Sequence, residues 1–268
     1  MVGRAVDPQP ASLSYLTPEL KAADLSLANL ESLLAPGDAI DVPSEDGYNL
    51  CAASLRAGLF SAWGVDMLSL ANNHRFDCGP AGTKATVQAL TALGLTPVGP
   101  DPQPIYREIK GLKLAFLSFD DILAPIDLVA AVRAIQSART TGALVVVSVH
   151  WGLEYQQGAT DRQKALARQF ADAGAALVVG THPHVLQPSE WIPTAHGKTL
   201  VLYSLGNALF DQAGLPDTRQ SALVVVTLAA SGVQSARAIP FVIDVLASRL
   251  IAPNARTASQ IHASLGLP

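Results

Sequence analysis

Two stretches decide the architecture: Ala143-Leu144-Val145-Val146-Val147-Ser148-Val149-His150-Trp151-Gly152, and Ala176-Leu177-Val178-Val179-Gly180-Thr181-His182-Pro183-His184. Each is a continuous apolar run that ends abruptly in histidine, as expected of a strand buried on both faces. Between them, Asp161 to Gly174 repeats its apolar positions Ala165, Leu166, Phe170 and Ala173 on one helical face. Strand, helix and strand in that order predict an α/β fold with largely parallel strands.

The same rhythm extends in both directions. Further strands are expected at Leu25–Asn29, Asp66–Ala71, Lys113–Ser118, Thr199–Ser204 and Ala222–Leu228. Ser44 with Glu45 and Asp46 reads as a cap and acidic first turn of a helix ending near Trp63. Pro80 and Pro125 open helices that stop near Gly94 and Gly142. Pro97–Pro104 and Gly206–Pro216 read as loops. No linker interrupts residues 1–268, so one domain is expected, with a core over about 1–245 and a separate short helix in the tail, 246–268.

Composition removes several classes of function. At 49% hydrophobic and 15% charged residues the chain is not disordered. Its formal net charge is −4 and its Lys and Arg residues are scattered, so no nucleic-acid partner is expected. Mean hydropathy is +0.29, but no apolar run approaches the roughly 20 residues that span a bilayer. Taken literally, the chain reads as soluble, without a signal peptide. Cys51 and Cys78 read as buried apolar thiols, a single disulfide between them being the open alternative. No GxGxxG or GxxxxGK[ST] follows a strand, which argues against a nucleotide-binding site.

Chemistry-bearing residues gather at strand ends. Asn29-Leu30-Glu31, Asn72-Asn73-His74, His150-Trp151-Gly152 and His182-Pro183-His184 each follow an expected strand, and four of the six histidines stand there. In open α/β sheets, ligands bind at the carboxyl ends of strands. Singly, Glu31 reads as a solvated or capping carboxylate, Asn72-Asn73 as a turn, and His150 as a satisfied structural histidine. Together, carboxylate, amide and imidazole form a borderline-to-hard ligand set suited to Mn, Zn or Fe.

These motifs resemble the poly-γ-glutamate capsule-synthesis family, the CapA-type proteins. The resemblance rests on Asn29–Glu31, Ser69–His74 with Asp77 and Gly79, His150–Gly152 with Glu154 and Tyr155, Gly180–Val185 with Gln187, Tyr203–Asn207, Phe210–Gln212 and Thr218-Arg219. It implies kinship with the calcineurin-like metallophosphoesterases: a four-layer α/β/β/α sandwich with one or two divalent metal ions. It implies Glu31 as a bridging carboxylate, Asn73, His150 and His182 as further ligands of one ion, and His184 as a ligand of the other. His74 takes the place of the catalytic proton donor. Arg4, Asn29, Asn72, Glu154, Tyr155, Asn207 and Arg219 fall along the substrate cleft.

Relatives usually open with a strand ending in Gly-Asp, which here would precede Met1-Val2-Gly3-Arg4, so the sandwich is expected to lack its first strand and one ligand of the His184 ion. The implied function is metal-assisted hydrolysis of a phosphoester or a glutamyl amide. The competing expectation is a non-catalytic, metal-containing component of a polymer synthesis or export machine that binds anionic polymer. The family also implies membrane partners and an anchored or exported location in the cell envelope.

Overall fold

The computed structural model describes residues 7–35, 50–79, 81–100, 102–212 and 214–268. After helix α1 (Thr17–Ala22) come β1 (Leu27–Asn29), β2 (Leu33–Ala35), β3 (Cys51–Ala53), helix α2 (Gly58–Trp63) and β4 (Met67–Ser69). Helix α3 (Gly82–Ala92) leads to β5 (Thr96–Val98), β6 (Ile105–Ile109) and β7 (Leu112–Asp120). Helix α4 (Leu128–Thr140), β8 (Leu144–His150), α5 (Asp161–Ala173) and β9 (Ala175–Thr181) follow in alternation. The chain closes with β10 (Leu186–Thr194), β11 (Gly197–Leu205), β12 (Gln220–Ala229), β13 (Gly232–Asp244), β14 (Arg249–Ile251) and α6 (Ala255–Leu265).

The main sheet has the order β10-β11-β9-β8-β7-β6, parallel from β11 to β7 and antiparallel at both edges. Val145, Val147 and Val149 of β8 point to one face and pack under Ile135 of α4 and Phe170 of α5. Val146 points to the other face, joining Met67, Val98, Ala222 and Ala238 of the small sheets β1-β4-β5 and β12-β13-β14. Those small sheets turn their outer side to Leu20 of α1, Phe60 and Trp63 of α2, and Leu90 of α3. Helices, sheet, sheets and helices thus stack as an α/β/β/α sandwich, the expected fold class.

Local sequence explains the central unit. Thr160 caps α5 by accepting from the Gln163 amide, and the Gln163 side chain accepts from the Thr160 amide; Gly174 ends the helix at φ 106°. A cap of this kind contributes about 1 kcal/mol. The cap is Thr160, one residue before Asp161, which stands in the first turn. Gly180 admits no side chain: a Cβ there would lie 2.1 Å from the Tyr203 carbonyl oxygen and 2.3 Å from Trp151 Nε1. That closeness lets Trp151 Nε1 donate to the Tyr203 carbonyl at 3.0 Å, locking β8 to β11 across β9.

Four expectations change. Cys51 and Cys78 form a disulfide with Cα atoms 5.3 Å apart, so they are not free thiols. The helix expected up to Trp63 shrinks to Gly58–Trp63 after a 3-10 turn at Ser54–Ala57, because Cys51–Ala53 is held extended against β2; Ser44, Glu45 and Asp46 lie outside the described residues. Strands β10 and β13 were hidden by prolines. Pro188 and Pro193 are tolerated because β10 is an edge strand, and Pro240 lies outside the stretch of β13 that pairs with β14. The core also continues past 245: Ile261 and Leu265 of α6 are fully buried in the inner cluster. The segment before Asp7, where a first strand was expected to be missing and where Arg4 falls, lies outside the described residues. Within them, β1 stands at the edge of its sheet.

Candidate metal centre

The carboxyl ends of β1, β4, β8 and β9 open on one edge of the sandwich, and each delivers a polar side chain there. Ligand atoms of Glu31, His150 and His182 all lie within 4.8 Å of one another. Asn73 joins them through its Oδ1, 2.8 Å from His150 Nε2. A second group, Glu154, His182 and His184, meets the same limit and shares His182 with the first.

The fit to a cation shows in what these atoms lack. Glu31 is 7% exposed. Its Oε1 has no hydrogen-bond partner among the described residues, and neither does the buried Nδ1 of His182. That Oε1 lies 3.6 Å from His184 Nε2 and 4.0 Å from both His74 Nε2 and His150 Nε2. A buried carboxylate oxygen surrounded by imidazole nitrogens, but bonded to none, is costly unless a cation satisfies it.

Second partners orient the imidazoles. His184 Nδ1 lies 2.8 Å from Asn207 Oδ1, while Asn207 Nδ2 donates to the Thr218 carbonyl and to Gln212 Oε1. Asn207 therefore presents its oxygen to His184, which must carry its proton on Nδ1 and leave Nε2 as a lone pair facing the site. His150 Nδ1 lies 2.9 Å from Thr181 Oγ1, which holds the ring from behind and keeps Nε2 turned to Asn73 and the site. Burial, together with the neighbouring His182, His184 and His74, pushes the His150 pKa well below 6.5, and burial lowers that of His182. Both are neutral near pH 7, as metal ligands must be.

The backbone is strained at this edge. Only five non-glycine residues among those described have positive φ, and three are here: Tyr155 at 62°, His182 at 99° and His184 at 59°. Such outliers cluster where function demands a geometry that the chain disfavours.

His74 is set differently. Its Nδ1 bonds Asp77 Oδ2 at 2.7 Å, which leaves Nε2 facing Glu31. Burial opposes its protonation, but the Asp77 hydrogen bond and the charges of Glu31, Asp77 and Glu154 outweigh that and raise its pKa above 6.5.

The residues expected along a cleft divide. Glu154 is 44% exposed at its side chain and lies 3.9 Å from His184 Nε2, within reach of the second ligand group. Tyr155 stacks its ring at 6.1 Å from that of His184 and accepts from Gln212 Nε2 through its hydroxyl. Asn72 is fully buried and ties the two loops together, donating to the Leu30 carbonyl and to Asn29 Oδ1 while accepting from the His74 amide. Asn207 is likewise buried, behind His184. Arg219 is half-buried at the end of a 3-10 turn. Reading the sequence missed Thr181 as the partner of His150 and Asp77 as the partner of His74. Position alone signalled both, since one closes β9 just before His182 and the other lies three residues past His74.

The model of the bacterial capsule synthesis protein family PGA_cap matches residues 4–212, which include every candidate ligand. The chain belongs to that family. It is 37% identical over 186 residues to the PGA biosynthesis protein CapA of Bacillus subtilis (strain 168), covering 62% of this chain and 48% of that protein. It is 32% identical over 250 residues to the capsule biosynthesis protein CapA of Bacillus anthracis, covering 84% of this chain and 60% of that protein. The chain thus spans roughly half of these capsule-synthesis relatives. A hypothetical protein from Thermus thermophilus shares the fold, with a TM-score of 0.56 at 18% identity over 89% of this chain and 96% of that one. Among the described residues, no helix is long and apolar enough to cross a membrane.

Proposed function

We propose that this PGA_cap domain is a metal-dependent hydrolase acting in the synthesis of a poly-γ-glutamate capsule, on a phosphoester or a glutamyl amide bond. One observation carries the reading: the buried Glu31 Oε1, without a hydrogen-bond partner among the described residues, amid three imidazole Nε2 atoms at 3.6–4.0 Å. Glu31, Asn73, His150 and His182 would hold one divalent ion; Glu154 and His184, with His182 shared, would hold a second. An ion held there supplies Lewis acidity and water activation at neutral pH.

The chain supplies the remaining parts. Asn207 keeps His184 in the tautomer that exposes Nε2, and Thr181 holds the His150 ring with its Nε2 turned to the site. His74 turns Nε2 to the site while Asp77 holds Nδ1; burial opposes its protonation, but the Asp77 bond and the nearby carboxylates raise its pKa, so Nε2 is the atom that would carry the proton. It would deliver that proton to the departing oxygen or nitrogen. Tyr155, exposed beside His184, would form the cleft wall on the Glu154 side. An anionic polymer or phosphoester and a membrane-associated synthesis assembly are the partners this reading implies.

The test pairs metal analysis with turnover. Purified protein should take up Mn or Zn in a calorimetric titration and hydrolyse a generic phosphodiester or a γ-glutamyl oligomer, with both lost in His150→Ala. Tight metal binding without turnover on either substrate would favour the non-catalytic, polymer-binding role. No metal binding would sink both.

A further inference from the structure

The loop that carries His74 is fastened to a second segment at two adjacent points. Asp77 Oδ2 accepts from His74 Nδ1 at 2.7 Å and from the Leu50 backbone amide at 2.6 Å. The next residue on each segment is a cysteine, and Cys51 and Cys78 are joined as a disulfide. Leu50-Cys51 and Asp77-Cys78 therefore close a small ring, covalent at one pair of residues and hydrogen-bonded at the other. Packing leaves it little play. Leu50 is 2% exposed and Cys51 6%, and a Cβ at Gly82 would fall 2.4 Å from the Cys78 Cβ.

The Cys51 segment is also fixed to the strand that follows Glu31. β3 pairs with β2 in the register Leu33↔Cys51, and the Leu33 amide donates to the Leu50 carbonyl at 2.9 Å. The disulfide thus links the segment that supplies Glu31 to the loop that supplies Asn73 and His74. The Glu31 and Asn73 segments have a second tie, Asn72 to the Leu30 carbonyl and Asn29 Oδ1. Among the described residues the His74 ring has no tie that replaces Asp77: apart from that bond, it makes the 4.0 Å approach to Glu31.

We propose that the Cys51–Cys78 disulfide, acting through Leu50 and Asp77, is the positioning device of His74, so that proton delivery depends on the oxidised state of this pair while the metal ligands stay assembled without it. The proposal rests on the hydrolase reading for what His74 does, but not for where it is held. Asp77 and the cysteines are positioning residues, since none touches the reacting atoms. A disulfide in this place suits an oxidising compartment, where it persists. Reduction by a dithiol gives each sulfur one electron and one proton and closes the dithiol to its own cyclic disulfide. The Leu50 amide is then free to leave Asp77, and the His74 ring free to turn.

The experiment compares three forms of the full chain: oxidised, dithiothreitol-reduced with both thiols confirmed by alkylation and mass, and Asp77→Ala with its disulfide intact. The first readout is the His74 Nδ1 proton in ¹⁵N-edited NMR spectra of zinc-loaded protein, assigned by its loss in His74→Gln. A proton bonded to a carboxylate is shifted downfield and protected from exchange. It should be present in the oxidised chain and absent from the other two, with Asp77→Asn restoring a weaker signal. The second readout is zinc affinity by calorimetry, which should stay within about threefold and reports separately on the metal centre. The third is turnover of diesters with poor and good leaving groups. Loss of a general acid should slow the poor leaving group by about tenfold or more and barely affect p-nitrophenolate, which departs unprotonated. A His74 signal that persists in the reduced chain or in Asp77→Ala overturns the proposal. So does global unfolding on reduction, which would make the bond a staple of the whole fold.

Discussion

Glu31 and Glu154 both come within reach of His182, yet one is buried and the other has its side chain 44% exposed. Glu31 has an oxygen shut away from water without a protein partner among the described residues, so its free energy depends on a cation. Glu154 can be solvated when no cation is near. The same donor chemistry in two surroundings predicts two ions of unequal grip: a firm one on the Glu31 side and an exchangeable one on the Glu154 side. A buried first ion suits holding charge in place. A more open second one suits contact with an incoming anion.

The largest effect that would break this picture comes from the shared ligand. His182→Ala should abolish tight binding of both ions in a calorimetric titration; one intact tight site would show that the two groups do not share this imidazole. A smaller effect sharpens it. Asn207→Ala removes the group that fixes the His184 tautomer, and should weaken the second ion by roughly 10–100-fold while changing the first little. Glu154→Gln should weaken the second ion by about tenfold, and equal weakening of both ions would erase the distinction.

The smallest effect is on stability of the metal-free chain as pH changes. His150 and His182 have folded pKa values below 6.5, chiefly through burial. Each contributes stability that is present above about pH 6.5 and is lost as pH falls, because the unfolded chain takes up protons that the folded chain refuses. His74 runs the other way: its raised pKa stabilises below pH 6.5, and that contribution fades as pH rises through the folded value. With two imidazoles against one, the melting temperature should fall between pH 7 and pH 5. A rise would place the balance on His74.

The sequence made the parallel core legible because its strands are uninterrupted apolar runs. Ala143–Val149 and Ala176–Gly180 could hardly be anything else between helical stretches, and the histidines at their ends followed from the fold. What stayed hidden was hidden for physical reasons. β10 reads as Leu-Gln-Pro-Ser-Glu-Trp-Ile-Pro-Thr, polar and proline-bearing, because an edge strand faces water and needs fewer ladder hydrogen bonds. The pairing of Cys51 with Cys78 depends on how β2 and β3 meet, which no local pattern encodes. Asn207 and Thr181 became interpretable only once distances put them behind His184 and His150. The family resemblance implied Glu154 as a cleft residue, and only the fold brings it to His184.

The left-handed backbone at His182 and His184 implies an inverse ranking of variants. Non-glycine residues held there cost roughly 1–3 kcal/mol each, and glycine would relax them. In a thermal screen of the metal-free chain, His182→Gly should therefore stand among the improved variants, although it removes a candidate ligand, whereas His184→Gly would leave the buried Asn207 Oδ1 without its partner. Selection for heat resistance alone would steadily erode what the edge of this sandwich was shaped to hold.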